Sequence, residues 1–324
     1  MGLKVLTQKE IRACITMKQA ILAMEEAFKD YYLGTAVLPL RTPIAVANEN
    51  ALTLTMPAYL GKQDALGLKV VSIFPNNSKQ HKPSINGLIL LLDEHSGEGK
   101  ALMEASYLTA MRTGAVSGLA TQYLAKGDAS HVAILGSGVQ AYTQLEAVLN
   151  VRSIKKISLW SRSLENAKKM ANELDQKHYE INCFSTVREA LKDADIICAA
   201  TGSTEPLIHL EDLKEGAHIN AVGSHTPQMR EINNQVLAHS LVVVDQIEAA
   251  CAEAGEIVSA LEEKSIQVSQ LVELGALISG NKSHHNNHYT VFKSVGLAIQ
   301  DISIANTVYL NACKKDLGTS IELY

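Results

Sequence analysis

The sequence predicts an α/β protein: a parallel sheet wound with helices, joined to a discontinuous α+β region. Three observations predict it. An apolar strand at 131–135 runs straight into Gly136-Ser137-Gly138-Val139-Gln140-Ala141 and a helix. Strand and helix patterns alternate from there to 245, the signature of parallel strands with right-handed crossovers. The region before them carries one clear helix followed by consecutive strand-like runs, as in an antiparallel or mixed sheet.

Taken in order, the first helix starts at Thr16, whose side chain and that of Gln19 form a capping box. Ile21, Met24, Phe28 and Tyr31 follow at helical spacing, and Gly34 can end the helix. Strands are expected at 51–56, 66–74 and 87–93, with a turn at 93–97. A helix rich in Ala, Gly and Thr at 108–124 leads into the second domain. There, strands are expected at 131–135, 156–160, 180–184, 195–200, 218–222 and 241–245. Helices are expected at 141–149, after Ser163, and after Thr186, which forms a second capping box with Glu189. Six such strands fit a Rossmann-type sheet. The segment 289–312 reads as an amphipathic helix, or a pair, that packs back on the first domain. The expected domains are therefore 1–112 with 302–324, and 113–301.

Composition excludes several functions. A chain of 324 residues can bury two cores, and with aromatics at 5% those cores must be aliphatic. A net charge of −5 without clustered Lys and Arg argues against a nucleic-acid partner. No apolar run approaches the ~18 residues of a membrane span, and the N-terminus lacks a signal core, so a cytoplasmic protein is expected. Cys14, Cys183, Cys198, Cys251 and Cys313 are scattered, which reads as buried reduced thiols. His284, His285 and His288 cluster, but no acid or Cys completes a site, so no metal is expected.

The chemistry centres on the glycine turn. Gly136 permits a tight bend, Gly138 lets backbone approach a pyrophosphate, and Ala141 lets the helix lie close to the strand. The helix N-terminus then offers N–H groups and partial positive charge to phosphate. The next strand ends in Ser161-Arg162-Ser163, without the acid that would bind a ribose 2′-OH. Arg162 with the two serines suits a 2′-phosphate, which favours NADP(H) and leaves NAD(H) as the alternative.

Several motifs in order carry a resemblance over nearly the whole chain: Leu40-Arg41-Thr42, Met56-Pro57, the run 67–71, Thr109-Ala110-Met111-Arg112-Thr113, the glycine turn, the run 221–227, Arg230-Glu231 and the run 292–296. The chain resembles the ornithine cyclodeaminase and mu-crystallin family. The resemblance implies a homodimer whose first domain, completed by the C-terminal helix, holds the substrate. It implies that Arg41 and Arg112 hold a substrate carboxylate, that Met56 lines the substrate site, and that Lys69 lies beside the reacting carbon. It places Ser84, Arg112, Thr113, Gly136, Gly138, Val139, Gln140, Ser161, Arg162, Ser163, Asn166, Thr201, Val222, Ser224 and Ser294 at the cofactor.

Two departures narrow the activity. The family's cyclodeaminases and alanine dehydrogenases carry an Asp where His225 stands, and cyclodeaminases a Glu near Leu54. The implied reaction is therefore reduction of a cyclic imino acid: 1-pyrroline-2-carboxylate to L-proline, and 1-piperideine-2-carboxylate to L-pipecolate. Lys69 or His225 would supply the proton. The alternatives are ornithine cyclodeamination, alanine or other amino-acid dehydrogenation on the same scaffold, and non-catalytic NADPH-dependent binding of a small ligand.

Overall fold

The computed structural model describes residues 2–80, 82–174, 177–280 and 288–323. The chain divides into two units, Met1–Arg112 with Leu297–Tyr324, and Thr113–Gly296.

The first unit opens with β1 (Leu3–Leu6) and the short helix α1 (Gln8–Cys14), then α2 (Met17–Tyr32). The expected capping box starts α2: the Gln19 amide donates to Thr16 Oγ1 at 3.3 Å and the Thr16 amide to Gln19 Oε1 at 3.0 Å. Its stripe of Ile21, Met24 and Phe28 is buried. Strands β2 (Ala36–Val37), β3 (Thr42–Val46), β4 (Ala51–Leu60), β5 (Ala65–Ile73), β6 (Ile85–Leu92) and β7 (Gly99–Glu104) follow. Helix α3 (Ser106–Leu124) contains the boundary between the units.

The second unit alternates as expected: β8 (His131–Leu135), α4 (Val139–Val151), β9 (Lys156–Trp160), α5 (Leu164–Glu173), β10 (Glu180–Phe184), α6 (Val187–Leu191), β11 (Ile196–Ala199) and β12 (His218–Ala221). Then come α7 (Asn234–Ala238), β13 (Ser240–Val244), α8 (Ile247–Glu253), α9 (Gly255–Glu262), β14 (Val272–Glu273), α10 (Leu274–Ile278) and β15 (Tyr289–Lys293). The chain returns to the first unit through α11 (Ala298–Lys315) and β16 (Thr319–Ile321).

The first unit's sheet runs β16-β1-β7-β6-β5-β4-β2, with β3 also on β4. It is mixed, because β1 pairs parallel with β7 while β4, β5, β6 and β7 pair antiparallel in sequence. Their register sets Met56, Lys69, Ile89 and Met103 in one row. All four are buried, and α11 packs against β4, β5 and β6. A charged side chain thus stands in an apolar row. On the opposite face the next row is Pro57, Leu68, Leu90 and Leu102.

The second sheet runs β10-β9-β8-β11-β12-β15-β13-β14, all parallel. The order reverses beside β8, and β8 leads into the glycine turn. Ligands bind α/β sheets at that kind of switch point. Ala141, Leu145, Ile134, Ile157, Leu159, Met170 and Ile196 share the aliphatic core beneath it.

Three expectations need correction. Residues 289–293 form β15, not helix. The strand is inserted between β12 and β13 and shielded on both edges, so its apolar run shows no alternation to separate it from a helix. The return to the first unit comes at Leu297, earlier than 302, because the first turn of α11 already packs there. Thr186 caps α6, but the Glu189 carboxylate takes the Thr186 hydroxyl at 2.7 Å, so a full capping box is not formed.

All five cysteines are free, and Cys313 is exposed rather than buried. Among the described residues no helix is long and apolar enough to cross a membrane. His284 and His285 lie outside the described residues, and no group of His, Cys, Asp or Glu among the described residues is placed to hold a metal.

Gly67 lies one row from Lys69, where β5 runs closest to α11. A Cβ there would collide with the Leu90 carbonyl oxygen and stand 3.1 Å from Ile302 Cδ1. Gly67→Ala is expected to cost about 1–3 kcal/mol, the usual range for overpacking. A lowered denaturant midpoint would show it, and an unchanged midpoint would contradict the packing described.

Candidate functional site

In the first unit, three elements bring charge to one place. Lys69 comes from β5, Arg112 from α3 and Asp301 from the first turn of α11. Lys69 Nζ lies 2.5 Å from Asp301 Oδ2, and Arg112 Nε lies 3.2 Å from Asp301 Oδ1. Arg112 Nη1 donates to Gln300 Oε1 at 2.7 Å. All four residues are buried. Two cations share one carboxylate, so the cluster carries excess positive charge. Burial pushes Lys69 down to about 8; Asp301 opposes that shift, while the charges of Arg112 and Arg41 add to it. Arg41 is half-buried, directly ahead of β3. Met56 faces Lys69 across β4 and β5. Leu54 and Val71 form the next row on that face. Ser84 stands just before β6, and its carbonyl accepts from the Phe74 amide at 2.7 Å.

In the second unit, Gly136 has φ +115°, a conformation that favours glycine, and a Cβ there would stand 2.5 Å from the Ala200 carbonyl oxygen. Its amide donates to Trp160 O at 2.9 Å. Gly138 is the N-cap of α4, has no side-chain cap, and has open space where a Cβ would be. Val139 follows, 70% exposed. The start of α4 is thus uncovered, with N–H groups that no capping side chain takes. These features fit a pyrophosphate. Ser161 and Ser137 share a hydrogen bond of 2.9 Å between their hydroxyls, while Arg162, Ser163 and Asn166 are exposed around the start of α5. Thr113 gives its carbonyl to Gln144 Nε2 at 3.0 Å. Gln140 lies in the first turn of α4, with its Oε1 buried.

The loops beyond β11 and β12 are held by buried charges to which the sequence reading gave no role. Glu231 accepts from the Thr201 amide at 2.7 Å, the Thr201 hydroxyl at 2.8 Å and the Gly223 amide at 2.8 Å. Burial, with Glu256 nearby, raises its pKa against the pull of Lys293. Lys293 pairs with Glu256 at 3.2 Å and donates to Ser224 O at 2.6 Å. Val222 is half-buried at the end of β12. Asp245 accepts from Ser294 Oγ at 2.9 Å, from the Val295 amide at 2.9 Å and from the Gly296 amide at 2.8 Å.

Two of the residues expected at the cofactor are engaged by buried charges. Ser224 is buried, its hydroxyl donates to Glu256 and its carbonyl is taken by Lys293, so it braces the loop instead of facing outward. The Ser294 hydroxyl spends its proton on Asp245, so it can only accept from a ligand. His225 is exposed, with Nδ1 donating to Gly223 O at 3.0 Å.

Asp301 and Gln300 were missed because α11 mixes polar and apolar residues along its length, and nothing in residue type alone shows which polar side chains are buried. A usable signal was Asp301 between Ile299 and Ile302, at a position the helix must bury. Lys293 at the end of Val291-Phe292 carried the same signal.

Comparisons agree with this arrangement. A profile of the ornithine cyclodeaminase/mu-crystallin family matches residues 2–316. The chain is 39% identical over 323 residues to a Delta(1)-pyrroline-2-carboxylate reductase from Bacillus cereus, covering 98% of this chain and 99% of that protein. The solved structure of Thermococcus litoralis Delta(1)-pyrroline-2-carboxylate reductase, in complex with NADH and L-proline, matches with a TM-score of 0.93 and 40% identity over 98% of this chain and 100% of that one. An archaeal alanine dehydrogenase dimer with bound NAD matches with a TM-score of 0.93 and 34% identity over 100% of both chains. Since the profile spans both units and the relatives align end to end, the chain belongs to the ornithine cyclodeaminase/mu-crystallin family.

Proposed function

We propose that this protein reduces a cyclic imino acid, 1-pyrroline-2-carboxylate or its six-ring homologue, with a nicotinamide dinucleotide. The observation that carries the reading is the buried Lys69–Asp301–Arg112 cluster, whose surplus positive charge calls for an anionic ligand. A carboxylate suits the guanidinium fork. Arg112 has Nε and Nη1 committed to α11, so the substrate carboxylate takes its other edge, with Arg41 as the second clamp. Leu54 and Val71 continue the site as an apolar surface, which matches a carbon ring better than a side chain ending in ammonium.

The turn at Gly136 and the N-terminus of α4 hold the pyrophosphate. When bound, the reduced nicotinamide supplies the hydride that the imine carbon accepts. Lys69 supplies the proton that the ring nitrogen takes as the C=N bond becomes single. An ammonium that titrates near 8 is a better acid at neutral pH than an ordinary lysine near 10.5. Arg162, with Ser161 and Ser163, favours NADP(H) through a 2′-phosphate. The Ser294 hydroxyl and Thr201, fixed by Asp245 and Glu231, line the cofactor site. Two copies pair through the sheet face carrying Pro57, Leu68, Leu90 and Leu102, where Leu88 is 51% and Ile44 53% exposed. A large apolar face of this kind normally meets a partner.

Five outcomes test this reading. Purified protein should oxidise NADPH with 1-pyrroline-2-carboxylate and release no ammonia from ornithine; the reverse pattern refutes it. Arg112→Ala should lower kcat/KM by about 2–5 kcal/mol, as loss of a buried charge partner does. Lys69→Ala should lower kcat about a hundredfold or more. Arg162→Ala should raise KM for NADPH at least about tenfold and leave KM for NADH nearly unchanged, one lost charge-assisted contact being worth about 1.5–3 kcal/mol. Equal effects on both cofactors would return the preference to NAD(H). Leu88→Asp should convert a sedimenting dimer to a monomer; a dimer that persists places the interface elsewhere.

A further inference from the structure

Asp301 lies in the first turn of α11, its carboxylate divided between two side chains from other elements. One oxygen meets the Lys69 ammonium, the other Arg112 Nε. Asp301 is itself fully buried, as is Gln300 beside it, which takes Arg112 Nη1. We infer that Asp301 is the positioning residue of the reaction: its carboxylate aims the Lys69 ammonium and keeps it charged beside Arg112, so that the carboxylate-binding and proton-donating groups work as one unit. The inference rests on the imine-reductase reading and goes beyond it, because Asp301 acts through Lys69 and Arg112.

The physical argument is a balance of charge. Lys69 stands in a row with Met56, Ile89 and Met103, which offer it no polar partner. Burial favours the neutral amine, and so do the charges of Arg112 on α3 and Arg41 before β3. Asp301 on α11 opposes all three, by its charge and by its hydrogen bond. Without it, a neutral amine would face the imine nitrogen and have no proton suited to donation. Geometry is lost as well, since a lysine ammonium on a flexible stem is aimed only by what it binds.

The sign of the pH effect follows. Lys69 must be protonated to act as an acid, so kcat/KM for imine reduction falls as pH rises through its pKa, near 8. Removing the Asp301 charge favours the neutral amine, so in Asp301→Asn this alkaline limb moves to lower pH. An opposite charge at this range is worth about 1–3 pH units.

The experiment compares wild type, Asp301→Asn and Asp301→Glu in the full-length protein. The first readout is the pH profile of kcat and KM. The second, independent of turnover, is the titration of the Lys69 side chain by NMR of lysine-labelled protein, its resonance identified by its loss in Lys69→Met. Asp301→Asn should shift both the limb and the resonance midpoint down by at least about one unit and lower kcat at pH 8 at least tenfold. Asp301→Glu should restore the midpoint towards wild type. If Asp301→Asn does not fold, Asp301→Glu still tests the point, because its displaced carboxylate should leave the midpoint near wild type and lower kcat. Wild-type protein inactive on the imine overturns the function. An active wild type whose limb and Lys69 titration do not move in Asp301→Asn, or, where that variant does not fold, whose kcat is unchanged in Asp301→Glu, overturns the inference alone.

Discussion

The first unit depends on a buried carboxylate shared by two cations. Burying Lys69, Arg112 and Asp301 together is costly, and apolar residues of similar size would pack with less loss. The arrangement persists through mutual support. Asp301 answers Lys69 and Arg112, Gln300 answers Arg112, and the row from Met56 to Met103 keeps the group dry. Such a cluster is poised for an anion, because one negative charge cannot neutralise two positive ones. Low polarity around it strengthens each interaction that a bound carboxylate would make.

The second unit uses the same strategy for another purpose. Glu231 ties the ends of β11 and β12 together through Thr201 and Gly223, and Asp245 gathers Ser294, Val295 and Gly296. Each buried carboxylate accepts several hydrogen bonds, three of them from backbone amides in the case of Asp245. Loops that would otherwise be free are thereby fixed. A dinucleotide meets a surface already in place, and less ordering remains to be done when it binds. Lys293 and Glu256 carry this bracing inward through Ser224.

Chemical selectivity follows from what surrounds the charges. Carboxylate recognition is general to amino and imino acids, so Arg41 and Arg112 alone do not separate them. In the proposed reading Leu54 does, since it offers no partner to a distant ammonium, and a lysine with a lowered pKa suits reduction, where nitrogen gains a proton. His225 stands exposed with one ring nitrogen engaged by its own loop, whereas Lys69 is buried against Asp301.

The sequence by itself determined what depends on neighbours along the chain. The glycine turn, the caps at Thr16 and Thr186, and the alternation from 131 to 245 are local patterns, and so the parallel sheet was legible. The resemblance named Lys69, Arg41 and Arg112. Tertiary structure decided the rest. Residues 289–293 have the composition of either element; insertion between β12 and β13 made them a strand. Ser224 turned inward because a buried ion pair needed its donor. Asp301 is 189 residues from Arg112 in sequence and meets it through the packing of α11, a relation that no local period encodes.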